Sequence, residues 1–486
     1  MTLLLLLTAC GTPDGVALDP ADTGRPVDSD TDTDVDDTDD TDDTDTVDTD
    51  TADTADTDTS PPEPSPALRF SGPRPTNVLL ISIDTTRRDQ LGIYAGLDTT
   101  PNLDRVLSDG VVLDAHRSCA NWTAPSMLCV LTGRSPLDSD YWPTGVYDAY
   151  GDARVPGIPF GQPTLASLLA AQGYATGLVT ANPVLSANNT GAIIEGYDDV
   201  ELWGWYSVRD VAPAGERLVE RLAATGQPWY AHVHFIDPHG SYVAPREYSY
   251  ELDTIDPDYE FPWDVTDAYQ VYTLMASWGS LSPDERAIAR EYLLAVYRGE
   301  LRYWDEYFGT FWSRLDSAGL LDDTLVVFVS DHGEQFGEHL GFQHGKMLFP
   351  EENATLAAFW ARDLEAGRWT GGTTHQDLSP TVLDALGIEP NPEHTGTIVG
   401  LAEDRPRFPF CYLPGYCDPM MSVVTDTHQL VYFFDGRRYL YDLRVDPSAT
   451  DNLWSEGEPD SEALWGLLRP EVDAVQARWD FMVPTY

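Results

Sequence analysis

From Thr76 onward, short apolar runs rich in β-branched residues alternate with stretches in which apolar positions recur at helical spacing. Three runs stand out: NVLLISI (Asn77 to Ile83), WYAHVHFI (Trp229 to Ile236) and TLVVFVS (Thr324 to Ser330). Helical periodicity marks Thr164 to Gly173 and a long element from Pro283 to about Gly319, with Ser282 as its N-cap. Strands alternating with helices predict an α/β fold with a central, mostly parallel sheet flanked by helices. Ligands of such sheets bind at the carboxyl ends of the strands, and each run is followed at once by an aspartate: Asp84, Asp237 and Asp331. One such Asp is an ordinary start to a polar turn. Three, two of them with a His close behind, predict a site on one edge of the sheet.

After about Gly387 the pattern changes to Pro, Gly and short strands (MSVVTD, HQLVYFFD, RRYLYDL), which predicts a small antiparallel subdomain over 388–486, closed by a helix from about Asp460 to Phe481. The α/β domain is then expected over 67–387. No internal repeat is evident.

The opposite end is polar and charged. Up to Glu63 there are 20 acidic residues and one basic residue, Arg25, so this stretch holds 20 − 1 = 19 of the 53 net negative charges. Residues 11–66 form an Asp/Thr-rich tract without apolar periodicity, expected to be a self-repelling, disordered tether. Its DTDTDVDDTDD lacks the Gly and distal Glu of a calcium loop, so weak cation association is its limit. MTLLLLLTAC is too short to span a bilayer. It resembles the end of a lipoprotein-type signal over 1–10 without its basic part, with Cys10 as the lipidated residue. The expectation is a bacterial cell-envelope protein, lipid-anchored through Cys10 and facing the periplasm or the exterior. Excess acid in the remainder suits a medium where ions screen self-repulsion and makes nucleic acid an unsuitable partner. Of the other cysteines, Cys411 and Cys417 enclose a turn-rich loop and are the preferred bridge; Cys119 with Cys129 is a second possibility.

Candidate chemistry collects at the strand ends. Asp331-His332 opens DHGEQFGEHLGFQHGK, and a carboxylate beside an imidazole can ligate one divalent ion, with Asp84 as a third ligand from another strand. NWTAPSM reads as a turn, a capping Thr and a helix start, which places the Thr123 hydroxyl at the positive helix end, where metal binding would activate it as a nucleophile. Lys346 is the only lysine in the chain and lies beside His344; a compact ammonium suits a tetrahedral oxyanion. An imidazole ligand favours Mn²⁺ or Zn²⁺, and a single His leaves Ca²⁺ open.

Ordered segments carry a wider resemblance: NVLLISIDTTRRDQLGIY, TTPNLDRVLSDGV, TAPSMLCVLTGR, HFIDPHGSY, YRGELRYWDEYFG, SDHGEQFGEHLGFQHGK, DLSPTVLDALGI and YLYDLRVDPSATDNL. Over roughly Thr76 to Leu453 the chain resembles the sulfatase family of the alkaline phosphatase superfamily. The resemblance implies that Asp84, Asp331 and His332 hold the metal, that Thr123 is the nucleophile and a further metal contact, and that His239, His344 and Lys346 meet the ester oxygens or leaving group. It also implies a sulfated or phosphorylated small molecule or glycan as substrate. Two departures matter. The family's C-x-P-S-R pattern, whose Cys or Ser matures to formylglycine, has Thr123 and Met127 at its first and last positions, and the acidic residue that often follows the first metal ligand is Thr85. Thr123 therefore resembles the nucleophile of the family's phosphoesterases and phosphoryl transferases. The competing reading is a non-catalytic, metal-dependent binder of anionic glycans.

Overall fold

The computed structural model describes residues 68–137, 161–186, 192–255, 261–401, 405–411 and 418–478. Residues 64–486 form one compact unit by their contacts. Its main sheet has eight strands: β1 Asn77–Ile83, β2 Val111–Leu113, β3 Ala175–Thr180, β4 Asp199–Leu202, β5 Trp229–Phe235, β6 Thr324–Ser330, β7 Ala357–Trp360 and β8 Gly367–Trp369. The spatial order is β8-β2-β7-β6-β1-β5-β3-β4, parallel except where β7 pairs with β6 and β2. The three apolar runs are thus the adjacent strands β6, β1 and β5, and the sheet is the predicted mostly parallel one.

Alternation along these strands feeds two cores. Leu79, Ile81 and Ile83 of β1, with Val326 and Phe328 of β6, face one core; Val78, Leu80, Leu325, Val327 and Val329 face the other. A strand that is apolar on both faces must be covered on both. Helix α3 (Val208–Ala223) and α4 (Pro283–Ser317) cover the first face, α4 inserting Tyr297, Leu301, Trp304, Phe308 and Phe311. Ser282 caps α4 as predicted: its side chain accepts from Glu285 N while Glu285 accepts from Ser282 N, an arrangement worth about 1 kcal/mol. The second face receives α1 (Thr123–Thr132), α2 (Leu165–Ala171) and α5 (Leu378–Ala385). It also takes side chains of a small antiparallel sheet, β9 Phe410–Cys411, β10 Met420–Val424, β11 His428–Phe433 and β12 Arg438–Asp442, and of α6 (Pro459–Arg478).

Cys119 is bonded to Cys129, which staples the entry to α1 onto its second turn. Cys411 is buried, and Cys417, its expected partner, lies outside the described residues, as do Cys10, the acidic tract and the loop 138–160.

Candidate active site

β1 and β6 run side by side in register, Ile83 opposite Ser330, so the residues that follow, Asp84 and Asp331, emerge together at the carboxyl edge. Helix α1 begins at the same edge. Trp122 takes the N-cap position without a side-chain bond to the helix, so Thr123 is the first helical residue rather than the cap that the sequence suggests. Its hydroxyl, unused for capping, lies 3.3 Å from His332 Nε2 and 3.2 Å from Asn182 Nδ2.

Four predicted residues meet there. His332 Nε2 is 3.6 Å from Asp84 Oδ1, 3.4 Å from Asp331 Oδ2 and 3.3 Å from Thr123 Oγ1. All four side chains are buried, and Asp84 Oδ1 and Asp331 Oδ2 have no hydrogen-bond partner among the described residues. A buried carboxylate oxygen left unpaired costs about 1–3 kcal/mol or more, so two beside the same imidazole nitrogen suit the binding of a cation. The ring is prepared likewise: His332 Nδ1–H donates to Gly333 O at 3.0 Å, which leaves the Nε2 lone pair for the same point. The other carboxylate oxygens are occupied. Asp331 Oδ1 accepts from Thr85 N and His332 N, and Asp84 Oδ2 accepts from Asn182 Nδ2 at 2.6 Å and His234 Nε2 at 3.3 Å. His234 also lies close enough to Asp84 and Asp331 to join a metal group, but its Nε2 is within hydrogen-bond distance of Asp84 Oδ2, the oxygen that also accepts from Asn182. Thr85 departs from ordinary backbone with φ of 48°, held by its bond to Asp331 and by Tyr297, whose hydroxyl donates to Thr85 O.

Burial works against charge throughout. It raises the Asp331 carboxyl well above its usual range, with Asp84 adding repulsion. Burial would raise Asp84 too, but the His234 hydrogen bond and the imidazoles of His239 and His332 outweigh it and hold Asp84 low. Burial, then His344, pushes His332 far below the imidazole range. Two carboxylates that cannot both ionise comfortably in a dry pocket become compatible once a cation lies between them.

His344 and His239 form the next layer. The His344 ring centroid is 4.4 Å from that of His332 and 5.1 Å from that of His239, and Trp205, 48% exposed, lies 5.3 Å beyond His239. Buried Glu334 brings Oε2 to 3.5 Å from His344 Nδ1; burial pushes the Glu334 carboxyl up to about 8 and the His344 imidazole down to about 3. Lys346 contributes positive charge that acts on both Glu334 and His344. Its loop is tied to α1 by Glu352, which accepts from Lys346 N, Met347 N and Asn121 Nδ2, while Gly345 N donates to Asn121 O.

Asp237, the third strand-end aspartate, does not join. Its Oδ2 accepts from Val208 N at 2.7 Å, at the start of α3, and burial pushes its carboxyl up to about 7. Conversely, Asn182 and His234 were not singled out from sequence. Asn182 lies two residues past β3, at the same carboxyl edge, and His234 alternates with His232 on the otherwise apolar β5; imidazoles in a strand covered on both faces need partners, which was the available signal.

Comparison with known proteins gives the family. The family profile described as Sulfatase matches residues 76–388. The N-acetylglucosamine-6-O-sulfatase of Bacteroides thetaiotaomicron is 22% identical over 79% of this chain and 83% of its own length. A multifunctional alkaline phosphatase superfamily protein of Trinickia caryophylli is 23% identical over 80% and 92%. Among solved structures, one in complex with its substrate D-glucosamine-2-N,6-O-disulfate superposes with a TM-score of 0.67 at 18% identity, over 83% of this chain and 99% of the other. The phosphonate monoester hydrolase of Agrobacterium radiobacter gives 0.62 at 20% identity, over 83% and 96%. With more than half its length matched by the family profile, the chain belongs to the sulfatase family.

Proposed function

We propose that the chain is a metal-dependent hydrolase or transferase of a monoanionic ester of sulfate or phosphate, with Thr123 as covalent nucleophile. The observation that carries this reading is the Thr123 hydroxyl, turned away from capping and set 3.3 Å from His332 Nε2, beside two carboxylate oxygens that have no hydrogen-bond partner among the described residues. Asp84 Oδ1, Asp331 Oδ2, His332 Nε2 and Thr123 Oγ1 would hold one divalent ion. Such an ion would lower the pKa of the hydroxyl and stabilise the nonbridging oxygens of the ester. The Thr123 hydroxyl loses its proton to solvent as Oγ attacks sulfur or phosphorus, the bond to the alcohol oxygen breaks in line with it, and that oxygen takes up a proton from solvent or through His239 or His344. Lys346 holds the charge that builds on the other oxygens.

Charge supports a monoanion. Two carboxylates balance a divalent ion, and Lys346 adds one positive charge beside Glu334 and His344. Arg87 is taken by Asp89 at 2.7 Å and Glu338 at 2.9 Å, and Met127 is buried without charge. Sulfate esters and phosphonate monoesters, the substrates named among the relatives, are both monoanions. Trp205 next to His239 offers a flat face for the ring of a sulfated or phosphorylated small molecule or glycan.

Turnover of an aryl sulfate, a diaryl phosphate and an aryl phosphate monoester, with and without chelator, tests this. Chelator-sensitive turnover of either monoanion at least about tenfold above the monoester is expected. Preference for the dianionic monoester contradicts the charge argument; metal-dependent glycan binding without any turnover supports the non-catalytic alternative. Thr123→Ala should lose about 10³-fold or more in kcat while still binding metal, Thr123→Ser should stay active, and a quenched reaction should show the group on Thr123 by mass spectrometry. The same reading includes export and tethering through Cys10: Cys10→Ser should release the protein from membranes with unchanged specific activity.

A further inference from the structure

Behind Asp84 runs a file of polar side chains inside the sheet. Tyr230, His232 and His234 alternate along β5 on one face, and Ser82 of β1 stands on the neighbouring strand, its Cα paired with that of His234. Ser82, Tyr230, His232 and His234 are at most 1% exposed. The contacts are continuous: Tyr230 hydroxyl to Tyr197 hydroxyl at 3.0 Å, Tyr197 hydroxyl to His232 Nδ1 at 3.0 Å and His232 Nε2 to Ser82 Oγ at 2.8 Å. Ser82 Oγ then lies 2.7 Å from His234 Nδ1, and His234 Nε2 lies 3.3 Å from Asp84 Oδ2.

One end fixes the direction of the whole file. An ionised Asp84 only accepts, so His234 carries a proton on Nε2, and with a single ring proton its Nδ1 accepts. Ser82 therefore donates to Nδ1 of His234 and accepts from His232, which places the proton of His232 on Nε2 as well. His232 Nδ1 then accepts from Tyr197, and Tyr197 accepts from Tyr230. Every link has one donor and one acceptor, and all donors point toward Asp84. Bonds in such a chain polarise one another in a medium of low dielectric. At its end Oδ2 is filled by His234 and Asn182, so Oδ1 alone is presented to the cluster with Thr123, Asp331 and His332.

We propose that Tyr230, Tyr197, His232, Ser82 and His234 are positioning residues that act through Asp84, a unidirectional hydrogen-bond chain that fixes which carboxylate oxygen the site offers to its cation. The proposal rests on the reading of Asp84 as a metal ligand, and it makes a claim that holds without metal: His232 and His234 both exist as Nε2–H tautomers. Partners of this kind typically change metal affinity by 10–100-fold when removed.

The test combines ¹⁵N-imidazole NMR of the metal-free, full-length protein, its signals assigned with His232→Gln and His234→Gln, with Mn²⁺ titration by calorimetry. In the native protein both rings should show Nε2–H. Ser82→Ala removes the acceptor of the His232 proton and the donor to His234; His232 should shift toward Nδ1–H and Mn²⁺ affinity should fall by about 10–100-fold. Tyr197→Phe, a mild change at a half-buried position, should disturb the His232 signal and lower affinity only a few-fold, and it serves if Ser82→Ala does not fold. His234→Gln, which keeps a donor toward Asp84, should bind Mn²⁺ better than His234→Leu. An Nδ1–H tautomer at either ring of the native protein, or Ser82→Ala binding Mn²⁺ as tightly as the native chain, overturns the proposal. If neither Mn²⁺ nor another divalent ion binds the native protein, the metal reading falls while the tautomers still decide whether the chain is directed.

Discussion

Asp84 and Asp331 on one side, and Asp237 on the other, follow three adjacent strands at the same point of the pattern, yet they are used differently. Each member of the first pair has one oxygen saturated and one left without a partner in a buried pocket. Asp237 receives an N–H from the first turn of α3 and is matched to a helix end. Position at a strand end brings a carboxylate to the functional edge; the unpaired oxygen, not the position, marks it for a ligand.

The largest effect expected from that contrast belongs to Asp331→Ala, which should abolish bound metal and lower turnover by at least about 10³-fold. Full metal occupancy in this variant, measured by elemental analysis, would move the site elsewhere. Lys346→Met should lower kcat/KM by about 10²-fold with metal content unchanged, because it removes a charge from the oxyanion and none from the ligand set. An equal loss of metal would contradict that division.

Asp237→Asn should leave metal content alone and change only the pH dependence of stability. The folded carboxyl titrates at about 7, raised by burial above its ordinary value of 3.8. Between these values the folded state binds a proton that the unfolded state has lost, so native stability falls as pH rises from about 4 to 7. The variant, neutral at every pH, should lack this contribution, which is on the order of a few kcal/mol. Melting temperatures at pH 4.5 and 7.5 measure it, and identical slopes for the two proteins would rule it out. Glu300, pushed up to about 8 by burial and then by the charge of Asp237, acts in the same direction, and the part due to Asp237 is lost with it in the variant.

Much of this was legible in the sequence. Two of the three apolar runs end where their strands end, and the third, Trp229 to Ile236, overruns by one residue. Ser282 and the pattern after it predict α4, and DHGEQFGEHLGFQHGK brings together His332, His344 and Lys346. Less visible was whatever depends on side chains crossing between strands. Asn182 reads as an ordinary turn residue, and only the juxtaposition of β3 with β5 and β1 brings it onto Asp84 and Thr123. Thr123 was expected to cap a helix and is instead its first residue, with Trp122 at the cap, because whether a Thr caps a helix depends on one backbone angle at its start. Asp237 looked equivalent to its neighbours because the helix end that claims it, at Val208, lies 29 residues away in the chain.

The position of β1 in the sheet also sets a schedule. It is the first of the eight strands in the sequence and lies near the middle, with β5 and β6 as its neighbours. A ribosome delivers Asp84 long before Asp331 and His332, and strand pairings this distant in sequence form slowly and late. No fragment that stops before Ser330 contains the full ligand set, so a growing chain has nowhere to trap the cation. With the ligands proposed above, the metal can be acquired only after His332 has been made, and a product truncated before it is bound to be empty as well as inactive.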